Sequence, residues 1–304
     1  MLDETARGVF TIAVTPFLPD GALDVESIDR MVDFYEEKGA TGLTILGMMG
    51  EAGKLSAEES VTVVERVTKR ASVPVIVGVS APGLAAIEAL AKTAMDKGAA
   101  GVMVAPQAGL RTDDQIIGYF ANVTEVLGQI PWVLQDFPLV TGVQMSPGVC
   151  LRIFKDNDTC VMLKHEDWPG LEKISALRRA EESGARRVSI LCGNGGQFLL
   201  EEMLRGADGA MTGFAYPEMM ADVVRLMTEG EEERARDLFD AYLPLVRYEA
   251  QPGLGLAIRK HTLAKRGAIA HPTARKPAPS LSAETVAEVE TLIARQEKRL
   301  ATLS

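Results

Sequence analysis

Residues Val73–Gln107 read VPVIVGVSAPGLAAIEALAKTAMDKGAAGVMVAPQ. An apolar run, Val75–Val79, leads into a helical segment, Leu84–Lys97, and then into a second apolar run, Gly101–Ala105. Neither run alternates apolar with polar residues. Continuous apolar runs are the pattern of strands covered on both faces, which is how parallel sheets are built. A helix between two such strands is the crossover that parallel neighbours require.

The same unit recurs on both sides of this stretch. Towards the N-terminus, Val9–Val14 reads as a strand and Val25–Lys38 as a helix with Ile28, Met31, Val32 and Tyr35 on one face. Gly39 stops that helix, Gly42–Leu46 is the next strand, and Ser56 with Glu59 is a capping-box signature for a helix reaching about Arg70. Towards the C-terminus, the predicted helices are Asp113–Leu127, Pro147–Lys155, Leu171–Glu182, Gly196–Leu204 and Pro217–Thr228. Strands are predicted at Trp132–Asp136, Val161–Lys164, Val188–Cys192 and Gly209–Thr212. Eight strand–helix units in residues 1–228 predict a (β/α)8 barrel. A doubly wound open sheet would more naturally carry a glycine-rich fingerprint after its first strand, and Val14-Thr15-Pro16-Phe17 is not one. Beyond Thr228 the strand signal stops. Glu231–Val246, Gly255–Lys265 and Ala283–Leu300 predict a three-helix annex over residues 229–304.

Composition narrows the function. The chain has 304 residues, 47% hydrophobic and 24% charged, with a formal net charge of −10. That is a globular composition, and its acidity argues against nucleic acid as a partner. The basic stretch Arg259–Lys276 is read as a solvated helix end. The longest apolar stretch, Val73–Ile87, is broken by prolines and glycines and falls short of a membrane span. Three cysteines, Cys150, Cys160 and Cys192, fit neither a disulfide framework nor a metal motif, so a reducing, cytoplasmic setting is expected. His165, His261 and His271 are scattered, and no metal or cofactor is expected.

Barrel enzymes carry their chemistry at the C-terminal ends of the strands. Lys164 stands at such an end, after Val161-Met162-Leu163. A lysine on a buried strand is either paired or chemically used, and a desolvated amine is a nucleophile toward carbonyls. An ion pair with Glu166 or Glu51 is the other reading. Glu166 lies two residues on and shares the face of Lys164, where a carboxylate could shuttle protons. His165 should face the other way and Asp167 should cap the following helix, while Asp136 is ambiguous between a turn and the site. Gly47-Met48-Met49-Gly50-Glu51 is a tight turn whose backbone N–H groups could cradle an anion, with the two methionines as apolar lining. Phe17, Phe137 and Phe214 are candidate apolar walls.

Several stretches, in order and at their spacings, resemble the dihydrodipicolinate synthase/N-acetylneuraminate lyase family over essentially the whole chain. They are Gly8–Phe17, Asp20-Gly21, Gly47–Glu51 (for a G-T/S-T-G-E turn), Leu134–Pro138 (for L-Y-N-x-P), Leu163-Lys164 and Gly206–Ala210. The resemblance implies Lys164 as the imine-forming residue and pyruvate or another 2-oxo acid as substrate. It implies that the substrate carboxylate is held by the Gly47–Glu51 turn at Met48 and Met49. The backbone carbonyl of Met211 and the strand-seven end at Gly193 would face the substrate. A tetramer of tight dimers, or a dimer, is implied as well.

The departures are specific. The family tyrosine near the lysine is Gln135, the threonine pair is Met48-Met49, and Pro106-Gln107-Ala108 has no tyrosine to offer across a dimer. The arginine that grips an aldehyde's carboxylate aligns with Val140. The expectation is a Schiff-base aldolase or dehydratase in which Glu166, aided by Gln135, replaces the tyrosine. The alternatives are a dihydrodipicolinate synthase with a rebuilt relay and a non-catalytic 2-oxo-acid-binding protein.

Overall fold

The computed structural model describes residues 1–168 and 170–303. Eight parallel strands close into a barrel in sequence order: β1 Gly8–Ile12, β2 Gly42–Ile45, β3 Val75–Gly78, β4 Gly101–Val104, β5 Trp132–Asp136, β6 Cys160–His165, β7 Ser189–Cys192 and β8 Gly209–Ala210. The helices are α1 Val25–Glu37, α2 Ala57–Arg70, α3 Leu84–Asp96, α4 Asp113–Leu127, α5 Pro138–Thr141, α6 Pro147–Asp156, α7 Leu171–Glu182, α8 Leu199–Leu204 and α9 Pro217–Thr228. The annex follows as α10 Glu232–Glu249, α11 Gly255–Lys265 and α12 Ala283–Leu300.

Local sequence explains most boundaries. Ser56 and Glu59 form a complete capping box on α2, and Pro147 occupies the first turn of α6. Gly39 takes φ +89° just past α1, a conformation that costs a glycine little. The strands are buried on both faces because two cores meet them. Between strands and helices lies the main core, into which α1 sends Ile28, Met31, Val32 and Tyr35. Inside the barrel a smaller layer of Phe10, Ile12, Ile76, Met103, Val133, Met162, Leu191 and Met211 fills the lumen. The lumen of the barrel is therefore a packed plug, with a cavity of about 690 Å³ at its mouth.

Three elements differ from expectation. The helix predicted from Gly196 starts at Leu199, because Gly195 and Gly196 hold φ +67° and +75° and end a short 3₁₀ turn, Asn194–Gly196. The last strand is two residues long, not four. The one-turn helix α5 was not foreseen; it follows Pro138 directly after β5.

The basic stretch is not a solvated helix end. Arg259 and Lys260 are 5% and 0% exposed. Arg259 Nε donates to Glu249 Oε1 at 2.6 Å, and Lys260 Nζ donates to Glu51 Oε1 at 2.5 Å, Thr15 O at 2.7 Å and Thr273 O at 2.8 Å. Arg275 forks onto Glu59 with two bonds of 2.6 Å, which pulls the Glu59 carboxyl down to about 2. Lys260 and Arg275 dock the annex onto the barrel mouth, and Arg259 ties α11 to α10 within the annex. Charge composition alone does not separate a docked basic helix from a solvated one.

Candidate active site

The site starts from strand alternation. β5 and β6 pair in register, with Gln135 beside Lys164 and Asp136 beside His165. Gln135 and Lys164 point into the barrel mouth, and Asp136 and His165 point out toward the helices. The ladder continues past β6: Glu166 N donates to Asp136 O at 2.9 Å, and Gly193 N donates to His165 O at 2.8 Å. That extension holds Glu166 in the inward register, two residues after Lys164.

Lys164 Nζ lies 3.0 Å from Glu166 Oε2, and Gln135 Nε2 donates to the same oxygen at 2.7 Å. Lys164, Glu166 and Gln135 are all buried, at 5%, 5% and 3% exposure. One carboxylate oxygen thus organises the amine and the amide. Gly193 is what leaves room for it: a Cβ there would sit 2.2 Å from Glu166 Cγ. The role expected for Gly193 against a substrate becomes a steric one, making space for Glu166.

These groups open into a cavity of about 690 Å³. Such a volume is typical of a small-molecule site. Ile12 from the interior layer, Thr212 and Gly213 after β8, and Asn194 after β7 also line it. Met48 and Met49 line it from the turn after β2, and among the described residues neither of their N–H groups has a protein acceptor. Two adjacent unspent donors on a 3₁₀ turn are the arrangement of a backbone nest, and they line the same cavity as Lys164. Leu46, Glu51 and Asn194 adopt left-handed φ of 54°, 56° and 51°. All three sit in the connections that follow β2 and β7, and backbone strain of about 1–3 kcal/mol per residue is characteristic of functional sites.

Other expected members lie elsewhere. Gly47 supports the turn, its carbonyl accepting from Gly50 N at 3.0 Å, without lining the cavity. The Met211 side chain belongs to the interior layer, and Thr212 and Gly213 line the cavity at the end of β8. Of the three phenylalanines only Phe137 lines the cavity. Phe17 lies under Lys260, 4.5 Å from its ring centroid, and Phe214 packs against Tyr216 and Tyr242. Glu51 serves Lys260 and Lys54, not Lys164. Asp136 goes to the outer face, where Lys173 Nζ donates to it at 2.6 Å. Asp167 does not cap α7; it accepts from Trp168 N and pairs with Lys173 at 2.7 Å, while Gly170 takes the cap position. His165 faces outward as expected, its Nε2 3.1 Å from Gly170 O.

On one side of the cavity, sequence reading singled out only Val140. Leu139 and Val140 on α5, Trp168, and the annex residues Val246, Glu249–Gly253 and Leu256 complete its wall. The Gln251-Pro252-Gly253 bend between two annex helices was the available signal. Among the described residues, no cluster of three or more His, Cys, Asp or Glu side chains is placed to hold a metal ion. No helix there is long and apolar enough to cross a membrane.

A lysine near the end of strand six, a carboxylate two residues on and a turn with two unspent N–H groups after strand two have counterparts among known proteins. The model of the dihydrodipicolinate synthetase family matches residues 5–296. The chain belongs to this family. It is 55% identical to the crystal structure of dihydrodipicolinate synthase from Rhodopseudomonas palustris, covering 97% of this chain and 99% of that one, with a TM-score of 0.95. It is 31% identical to the L-2-keto-3-deoxyarabonate dehydratase of Azospirillum brasilense, over 93% of this chain and 92% of the relative. It is 30% identical to the 4-hydroxy-tetrahydrodipicolinate synthase of Persephonella marina, over 79% and 82%. This membership makes the chain an enzyme of the lyase type, acting on a small molecule.

Proposed function

We propose that this lyase works through an imine between Lys164 and the 2-oxo carbon of pyruvate or another 2-oxo acid. The observation that carries the reading is the inward Lys164–Glu166–Gln135 cluster at the floor of the cavity. The Lys164 nitrogen adds to the carbonyl carbon, and the carbonyl oxygen leaves as water. The protonated imine then withdraws electrons from C3. In a retro-aldol the C3–C4 pair flows into the imine, giving an enamine and an aldehyde. In a dehydration a C3 proton is removed, and the enamine expels the C4 hydroxyl as water. Glu166 is the proton carrier in both, held by Gln135 where the family places a tyrosine. The N–H groups of Met48 and Met49 take the substrate carboxylate.

The barrel, residues 1–228, supplies the reacting groups and the annex, residues 229–304, closes one wall. A cytoplasmic enzyme fits the three free, buried cysteines. A dimer or a tetramer of tight dimers belongs to the proposal on family grounds.

A second reading, dihydrodipicolinate synthesis with a rebuilt relay, is favoured by the name of the Rhodopseudomonas palustris relative. Val140 and Gln135 speak against it, since neither grips a carboxylate as arginine does nor relays a proton as a phenol does. Turnover measured on pyruvate with aspartate semialdehyde and on a panel of 4-hydroxy-2-oxo acids separates the two. Lys164→Ala should abolish turnover on whichever substrate is used. Glu166→Gln should lower kcat by about 10²–10⁴-fold. Full turnover by Glu166→Gln removes Glu166 from the mechanism, and efficient use of aspartate semialdehyde selects the synthase reading.

A further inference from the structure

The cavity is much larger than a three-carbon acid, so the character of its outer part describes the rest of the substrate. Met48, Phe137, Leu139, Val140, Trp168 and Leu256 dominate that part. Four of them are conspicuously open for their type: Met48 42%, Leu139 65%, Val140 57% and Trp168 42% exposed. Trp168 is set edge-to-face on Phe198 with ring centroids 4.9 Å apart, which fixes an aromatic surface at the rim.

Several polar groups of the same wall are bonded within the protein. The cations among the lining residues are Lys164 and Arg259. Lys164 is consumed by the imine. Arg259 Nε donates to Glu249 at 2.6 Å, while its Nη1 is buried beside Gly213, where a Cβ would be 2.3 Å away, and meets no acceptor among the described residues. Gln197 Nε2 donates to Asn194 O at 3.1 Å and Gln251 Nε2 to Tyr248 O at 2.8 Å. A second carboxylate would meet no exposed cation on this wall, since Lys164 and Arg259 are both buried, and a polyol chain would displace water from mostly apolar surface, replacing few of its hydrogen bonds.

Resting on the imine reading for its inner end, we infer that the substrate is a 2-oxo acid whose far end is an apolar aryl or branched-alkyl group. The 2-oxo acid end sits at Lys164 and the Met48–Met49 turn. The tail lies across Val140 and Leu139 against Trp168. Val140 is the specificity-determining position, since a basic residue there would reintroduce a carboxylate partner.

The test is equilibrium quenching of tryptophan fluorescence by 4-phenyl-2-oxobutanoate, 2-oxoglutarate and a 3-deoxy-2-oxo sugar acid. It is run on the full-length wild type, Lys164→Ala, Val140→Arg and, to assign the signal, Trp168→Phe. Trp132, the other tryptophan, is fully buried and stacked on Phe120, so the signal should come from Trp168. The phenyl acid should half-saturate at a concentration about 10-fold or more below the other two, as expected for burying an aryl group. Val140→Arg should shift the preference toward 2-oxoglutarate. Equal or tighter binding of 2-oxoglutarate or the sugar acid by the wild type overturns the inference. Borohydride trapping of pyruvate in parallel separates the two levels. Trapping without the phenyl preference sinks the tail assignment and leaves the imine. A phenyl preference without trapping, retained in Lys164→Ala, sinks the imine and leaves the tail.

Discussion

Two buried lysines flank the same pair of strands, and their surroundings differ in one decisive respect. Lys173, on α7, faces the outer side of β5 and β6, where Asp136 and Asp167 both take it, at 2.6 and 2.7 Å. Burial pulls its pKa down, but the two carboxylates outweigh burial and the net shift is upward. Lys164, on the inner side, has Glu166 alone, at 3.0 Å, and a cavity in front of it. The two are almost equally buried, at 6% and 5% exposure. Burial therefore does not distinguish a chemical lysine from a structural one. A saturated partner shell makes a lysine a strut, and an open side facing a cavity makes it a reagent.

The sharpest way to break this comparison is to remove each amine in turn. Lys164→Ala should lose all turnover, yet its chemical denaturation midpoint should stay close to wild type, because the cavity can hydrate Glu166. Lys173→Met should keep the chemistry in whatever protein folds. It should lose about 3–5 kcal/mol of stability by stranding Asp136 in the core, read from urea unfolding. If Lys173→Met unfolds at the wild-type midpoint, the outer pair is not the strut described here.

Glu202 sharpens the comparison from the opposite side, as a buried carboxylate whose side chain meets a thiol and no cation. It lies against Cys192, and burial pushes its pKa from the ordinary 4.5 up to about 8. The unfolded chain ionises near 4.5 while the folded chain keeps the proton until about 8, so the folded state binds more protons in between. This group's contribution thus becomes less favourable as pH rises through that window, by an order of a few kcal/mol. Glu202→Gln should be relatively more stable than wild type at pH 8.5 and little different at pH 4. Parallel denaturant titrations at the two pH values check this, and a difference independent of pH contradicts it.

Much of this was legible in the chain itself. The apolar runs and helical spacings carried the barrel, since a strand covered on both faces has no freedom to alternate. Lys164 and Glu166 were legible because period-two spacing at a strand end decides which side a residue faces. The illegible parts depend on contacts distant in sequence. Lys260 meets Glu51 across 209 positions, so the basic stretch looked solvated. Asp136 found Lys173 on α7, beyond the neighbouring strand, and left the site. The apolar cavity wall comes from α5, Trp168 and the annex bend, none of which has a periodicity of its own. The annex also positions the loop after β8, with Glu249 Oε2 accepting from Ala215 N at 3.1 Å.

The most direct test of the central claim is to locate the adduct. Wild-type protein would be reduced with borohydride in the presence of pyruvate and, separately, of larger 2-oxo acids. Intact mass would be followed by peptide mapping of Lys164, Lys173 and Lys260. The account predicts one adduct per chain, on Lys164, and none in Lys164→Ala. An adduct on Lys173 or Lys260, or one that persists in Lys164→Ala, would contradict it.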